Sequence, residues 1–115
     1  MRVAIYVELR DEAGCAVLGL PDPSGGTFDA AGDFDRFVDQ PPYVHVAGGI
    51  PILESVDPFG ETIMPFGVMA GLIADCVRAT AVAHDGPERR GLLRLRVLAE
   101  ECSRRPGFTL VWIGD

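Results

Sequence analysis

Three carboxylates near the middle of the chain are the side chains best spaced for chemistry. Glu54, Asp57 and Glu61 fall within one short stretch of the 115-residue sequence. Paired carboxylates can act as general acid and base when their surroundings push their pKa values apart, and their oxygens can also hold a hard cation. Glu54 and Glu61 are predicted to face each other across a hairpin. The stretch matches neither a calcium loop nor a glycosidase pattern.

The same stretch also has a purely structural interpretation. Asp57-Pro58-Phe59-Gly60 fits a type I turn, with Asp first, Pro second and Gly fourth. The turn accounts for Asp57 but requires neither Phe59 nor Glu61. We therefore predict binding residues, Asp57, Phe59 and Glu61, and no catalytic residue. For Phe59, burial in the core and exposure as an anchor for a partner are weighted equally.

The cysteines and histidines offer no second site. Cys15, Cys76 and Cys102 are an odd number of thiols without a CxxC pair, which is typical of reduced, buried thiols. Zinc is disfavoured by the ligand spacing. His84 is predicted to lie at the C-terminal end of a helix, where a positive charge is favourable. His45 has no evident catalytic or metal-ligating partner in the sequence.

Glycines provide no nucleotide-binding pattern either. Gly25-Gly26 lacks the following Lys and helix of a phosphate loop. We predict no cofactor and no metal.

Periodicity places these residues on a small number of elements. Alternation predicts strands at residues 2–10 and 15–20, joined by a turn, and at 50–56 and 61–64, joined by the turn at Asp57; a final strand covers 108–113. Spacings of three and four predict helices over residues 65–84 and from Pro87 to Arg105.

Several details of these elements follow from residue type. Pro65 suits the first helical position, and the alternative is a helix that begins with Thr62 as its N-cap. Residues 27–39 are either a short helix or an irregular segment. Trp112 is predicted to be buried. The elements together predict one α+β domain over residues 1–115, in which a mainly antiparallel sheet of four to five strands carries two helices on one face.

Charge separates the two halves of the chain. The formal net charge is −7; residues 1–61 hold 11 acidic residues and 3 Arg, whereas residues 62–115 hold 6 acidic residues and 7 Arg. An acidic half repels phosphate backbones, which disfavours nucleic acid, and it attracts a basic partner. The sequence shows neither a signal peptide nor an apolar run of ~20 residues, so we expect a cytoplasmic protein without a membrane span.

The central stretch resembles a group of small uncharacterised bacterial proteins. These carry Asp-Pro-aromatic-Gly-acid-Thr where this chain has residues 57–62, followed by a long helix. They also share an acid-Cys step, matched by Glu101-Cys102, and a hydrophobic-Gly-Asp ending, matched by Ile113-Gly114-Asp115. The likeness covers residues 50–115, although Pro65 stands where a capping Asn is usual. The resemblance implies the order of the elements and one contiguous domain, and it assigns no catalytic residue.

Three functions remain open from the sequence. The first is a non-enzymatic interaction module whose acidic surface binds a basic protein, as inhibitors and immunity proteins of basic toxins do. The second is a small-molecule-binding protein or enzyme that uses Glu54, Asp57, Glu61 and the loop at Gly25-Gly26. The third is a scaffold subunit that forms a homodimer through a sheet edge.

Overall fold

Three strands and three α-helices make up the part of the chain that the structure describes. A computed structural model describes residues 5–17, 46, 48–57, 59–83 and 86–114. In chain order the elements are β1 (Tyr6–Arg10), α1 (Pro51–Glu54), β2 (Glu61–Pro65), a 3₁₀ turn (Phe66–Val68), α2 (Met69–Val82), α3 (Pro87–Ser103) and β3 (Thr109–Ile113). The α+β class predicted from the sequence is confirmed.

The strands form one antiparallel sheet in the order β1-β3-β2. β3 lies in the centre, where Trp112 is opposite Val7 on one side and Thr62 on the other. The described residues contain three strands, fewer than the four to five predicted. β2 pairs with the distant β3 and not with residues 50–56, so the second predicted hairpin is wrong.

Within residues 50–56, where a strand was predicted, residues 51–54 are helical. α1 is a single turn with Pro51 in its first turn, a position where the missing proline N–H costs no hydrogen bond. The short apolar run Ile50-Pro51-Ile52-Leu53 is compatible with either structure, because periodicity cannot separate a buried strand from a buried helical turn of this length. Leu53 is fully buried beneath α2 and helps to close the core.

α2 starts later than predicted and presents a different face to the core. Pro65 belongs to β2, and the 3₁₀ turn precedes the first α-helical residue, Met69, so Thr62 is not the N-cap. Phe66 and Val77, apolar residues that fit the three- and four-residue spacing behind the predicted helix, are exposed. The buried positions of α2 recur at three and four residues, and they are Met69, Leu72, Asp75, Cys76 and Ala79.

α3 agrees with its prediction. It begins at Pro87 after Gly86, whose φ of 99° is a conformation that favours glycine. The spacing that predicts this helix is visible in its apolar face, which is formed by the buried residues Leu92, Leu95, Leu98, Ala99 and Cys102. Together with α2 and the inner face of the sheet, this face encloses the core around Trp112, which is fully buried as predicted.

β1 continues into the start of the first predicted hairpin. Val17 N–H donates to Leu9 C=O at 2.9 Å, and Arg10 bridges Ala16 across the turn. The predictions for residues 27–39, the Gly25-Gly26 loop, His45 and His84 fall outside the described residues. None of the helices in the described ranges is long and apolar enough to cross a membrane.

Candidate functional site

The turn at residues 57–60 is built by the side chain of its first residue. Asp57 Oδ1 accepts the N–H of Phe59 at 2.9 Å, which is the Asx hydrogen bond that Asp favours at this position. The Asp57 N–H donates to Thr62 Oγ1 at 2.9 Å, and Gly60 N–H approaches Asp57 C=O at 3.4 Å. The carboxylate of Asp57 is therefore engaged in folding the turn.

Gly60 is required by the position of that carboxylate. A Cβ built on Gly60 would lie 2.5 Å from Asp57 Oδ2, closer than real Cβ contacts allow. The Gly60 carbonyl also accepts the N–H of Gly114 at 2.7 Å, which joins the turn to the end of β3. Sequence reasoning assigned glycine to the fourth position of the turn, and the structure adds this steric reason.

Beyond the turn, apolar and acidic side chains alternate on the surface. Phe59 is 68% exposed and Ile63 is 57% exposed, the two largest values among the exposed large hydrophobic residues of the described chain. Glu61 is exposed on the strand between them, and it shares the outer face of the sheet with Ile63 because alternate residues of a strand point to one side. We call the four residues Asp57, Phe59, Glu61 and Ile63 the turn–edge surface.

The structure brings together only two of the three carboxylates that suggested catalysis. Asp57 and Glu61 both belong to the turn–edge surface, whereas Glu54 closes α1. The predicted pairing of Glu54 with Glu61 across a hairpin is wrong, because α1 replaces the strand that would have carried Glu54. Within the described ranges, no group of three or more His, Cys, Asp or Glu side chains could hold a metal ion.

A second acidic centre, which the sequence did not reveal, lies inside the molecule. Asp75 of α2 is 1% exposed, and its Oδ2 accepts the N–H groups of Ile52 at 2.7 Å and Leu53 at 3.0 Å. These groups belong to the first turn of α1 and have no partner within the helix. Asp75 thus replaces the N-cap side chain that α1 lacks at Ile50. The sequence signal for this buried role was the position of Asp75 on the apolar face of α2, one residue before Cys76 and three after Leu72.

Arg78 completes this centre and links it to the chain before α1. Its Nη2 donates to Asp75 Oδ1 at 2.5 Å, and its Nε donates to Gly49 C=O at 2.7 Å. Gly48 and Gly49 adopt φ values of 85° and 70°, which favour glycine. A Cβ on Gly48 would lie 3.3 Å from Arg78 Cδ, so the arginine also packs closely against the backbone. Every oxygen of the Asp75 carboxylate is thereby engaged in holding residues 49–53.

The buried thiols of Cys76 and Cys102 are poorly reactive. Burial raises the pKa of Cys76 to about 12, and the neighbouring Asp75 carboxylate adds to the shift. Burial also raises the pKa of Cys102, whose Sγ donates to Phe108 C=O at 3.6 Å. A thiol with a raised pKa carries little thiolate at neutral pH and is a poor nucleophile. The prediction of buried, unpaired thiols is confirmed for these two residues and is wrong for Cys15, which is unpaired but exposed.

Comparison with known proteins adds no assignment. No family model, no curated protein and no solved structure matches the chain. The candidate site therefore depends on the geometry of the turn–edge surface alone.

Proposed function

We propose that the chain is a non-enzymatic interaction module that binds a basic protein through the turn–edge surface. The observation that carries this proposal is the exposure of Phe59 and Ile63 beside the carboxylates of Asp57 and Glu61. An inhibitor or immunity-type partner of a basic cytoplasmic protein is the class of function that this surface suits best.

The two kinds of side chain would make different contributions to binding. Aromatic residues such as Phe59 are enriched in interfaces, where burial of apolar area supplies much of the affinity. The carboxylates mainly raise the association rate and select partners of opposite charge. The net charge of −7 extends that attraction beyond the contact surface.

The ionisable groups buried in the described part of the chain favour binding over catalysis. Asp75 is engaged by α1 and Arg78, and burial raises the pKa values of Cys76 and Cys102. An enzyme would require a base or nucleophile that is available to a substrate. Glu61 is not engaged in the turn, but the carboxylate that the enzyme hypothesis pairs with it, Glu54, belongs to another element.

The test is a comparison of captured proteins between matched surface variants. The purified chain, Phe59→Ser, Glu61→Arg and the control Val77→Ser would be immobilised and exposed to lysate of the source cell. Val77 is 45% exposed on α2, so its variant removes an exposed apolar side chain from a different surface. Bound proteins would be eluted at high salt and identified by mass spectrometry.

We expect one basic protein to be retained by the wild type and by Val77→Ser, and to be lost from the two turn–edge variants. Retention should also fall as salt rises from about 50 to about 500 mM, because ions screen exposed charges over a shorter distance. Equal capture by all four proteins, or capture of an acidic protein, would contradict the proposal.

A further inference from the structure

Hydrogen bonding fixes which backbone groups of β2 face away from the sheet. The 2.7 Å bond from Gly114 N–H to Gly60 C=O joins two residues that are opposite each other in the register of β2 and β3. In an antiparallel pair, hydrogen-bonded and non-hydrogen-bonded residue pairs alternate. Thr62 and Met64 therefore bond to β3, whereas the N–H and C=O groups of Glu61 and Ile63 point away from it.

The opposite edge of the sheet, formed by β1, shows the same alternation, and one of its outward groups already has a hydrogen-bond partner. The Leu9 C=O points away from β3 and accepts the Val17 N–H at 2.9 Å. β2 has no such neighbour among the described residues. Pro65 also fits an outward-facing position, because proline is tolerated on an edge strand where its missing N–H faces away from the sheet.

We infer that the partner adds an extended segment to the edge of β2 that no described strand covers, antiparallel to it, as a further strand beside β1, β3 and β2. This inference rests on the proposed function and specifies how the basic partner is recognised. The outward N–H and C=O groups of Ile63 and Glu61 would pair with the added backbone. Antiparallel pairing is chosen because its hydrogen bonds lie perpendicular to the strands and are slightly more stable per residue.

Charge and register define the sequence of the added segment. A residue opposite Ile63 and the residue two positions later, opposite Glu61, would both lie on the outer face of the sheet. Ile63 favours an apolar neighbour, and Glu61 favours Arg or Lys, because opposite charges across a pair of strands are stabilising. The predicted motif is therefore apolar-x-basic. A second copy of this chain suits the edge less well, because two chains of net charge −7 repel each other.

Blocked peptides can test this motif without knowledge of the natural partner. The probe is acetyl-Thr-Ile-Thr-Arg-Thr-amide, titrated into isotope-labelled protein and followed by amide chemical shifts. We expect shifts at Glu61 and Ile63, and an affinity about fivefold higher than that of the peptide with Glu in place of Arg. Equal affinity for the two peptides, or shifts that avoid β2, would overturn the inference.

N-methylation separates strand pairing from simple contact between side chains. A methyl group on the N–H of the peptide Ile removes the donor to Ile63 C=O and should abolish binding. A methyl group on the central Thr lies on an N–H that points away from β2 and should leave the affinity within about twofold, since no paired group is lost. Tolerance of both methyl groups would overturn the inference.

Variants of Ile63 separate this inference from the proposed function. Ile63→Pro removes the outward N–H while sparing the hydrogen bonds to β3, and Ile63→Val retains that N–H as the control. Circular dichroism and the melting temperature would establish that both fold. We expect Ile63→Pro to lose the peptide and the captured basic protein, and Ile63→Val to keep both.

Other outcomes have defined meanings. Capture that survives Ile63→Pro but not Phe59→Ser overturns strand addition and leaves the proposed function standing. Capture that is insensitive to every turn–edge variant overturns both. Sedimentation that shows a dimer, converted to monomer by Ile63→Pro, assigns the edge to a second copy and overturns the inference.

Discussion

Two aspartates accept backbone N–H groups in two regions of the molecule, one at the surface and one in the core. Asp57 is exposed and accepts an N–H two residues away, within its own turn. Asp75 is buried and accepts two N–H groups 22 and 23 residues away, in another element. A carboxylate at the surface can exchange its partners for water at little cost, whereas one in the core cannot. Position in the fold therefore sets how much a hydrogen bond contributes to stability.

The largest effect is expected from removing the buried carboxylate. Asp75→Ala would leave the N–H groups of Ile52 and Leu53 unsatisfied and Arg78 without its counter-ion. We expect the free energy of unfolding to fall by roughly 3 kcal/mol, at the lower end for a broken buried pair because Arg78 is partly exposed. Urea denaturation measures this change.

Glu101→Ala provides the matched control for that experiment. Glu101 is another helical carboxylate and pairs with Arg104 and Arg105 near the surface. Its loss should cost less than about 1 kcal/mol, because exposed ion pairs contribute little. Similar losses for Asp75→Ala and Glu101→Ala would contradict the distinction between buried and exposed carboxylates.

An intermediate effect is expected from the thiol beside Asp75. The pKa of Cys76 is raised from an ordinary value of 9.0 to about 12 in the folded chain. The folded state disfavours the Cys76 thiolate, so the unfolded chain loses the thiol proton at a lower pH. The free energy of unfolding is therefore at its full value below the pKa of the unfolded chain. It decreases as the pH rises towards the pKa of the folded chain. By about pH 10 the loss should reach about 1.4 kcal/mol relative to pH 8.

The measurement is the free energy of unfolding by urea across that pH range, compared with Cys76→Ala and Cys15→Ala. Other alkaline titrations are common to all three proteins and cancel in the comparison. Cys76→Ala should flatten the decline, whereas Cys15→Ala should leave it in place because Cys76 is still present. An unchanged decline in Cys76→Ala would show that burial does not raise the pKa of that thiol as expected.

The smallest effect on stability is expected from Gly60→Ala in the exposed turn. This substitution should destabilise the protein when residue 57 is Asp and stabilise it when residue 57 is Ser. Gly60→Ala would force its Cβ against Asp57 Oδ2 and break the Asx hydrogen bond, costing about 1 kcal/mol. In an Asp57→Ser background the clash is relieved, and Ala should instead stabilise by about 0.5 kcal/mol through the lower entropy of the unfolded chain. A thermal-denaturation double-mutant cycle measures the coupling, and additive effects would show that the two residues do not interact.

The regions that sequence reasoning predicted correctly are those with local causes. The buried face of α3 repeats every three to four residues, and Val7 and Leu9 of β1 alternate with more exposed positions. The turn at Asp57 is likewise encoded in consecutive residues. Periodicity and turn chemistry operate within a few residues, so a single sequence contains all the information that they require.

Two of the incorrect predictions, the second hairpin and the strand at residues 50–56, concern partners that are distant along the chain. β2 was predicted to pair with the preceding apolar run, but its partner β3 lies more than forty residues later. α1 depends on Asp75, whose role becomes visible only when α2 packs against it. The exposure of Phe59 was also undetermined, because a turn residue can point either towards the core or towards solvent. Long-range packing decides the first two cases.

The dependence of α1 on Asp75 also constrains the order of events during folding. A helix of four residues contains too few hydrogen bonds to offset the entropy of nucleation. Its N–H groups obtain a stable acceptor only after α2 has formed and placed the carboxylate beside them. We therefore expect the turn at Pro51–Glu54 to be among the last parts of the chain to become ordered, and substitutions there to accelerate unfolding more than they slow folding.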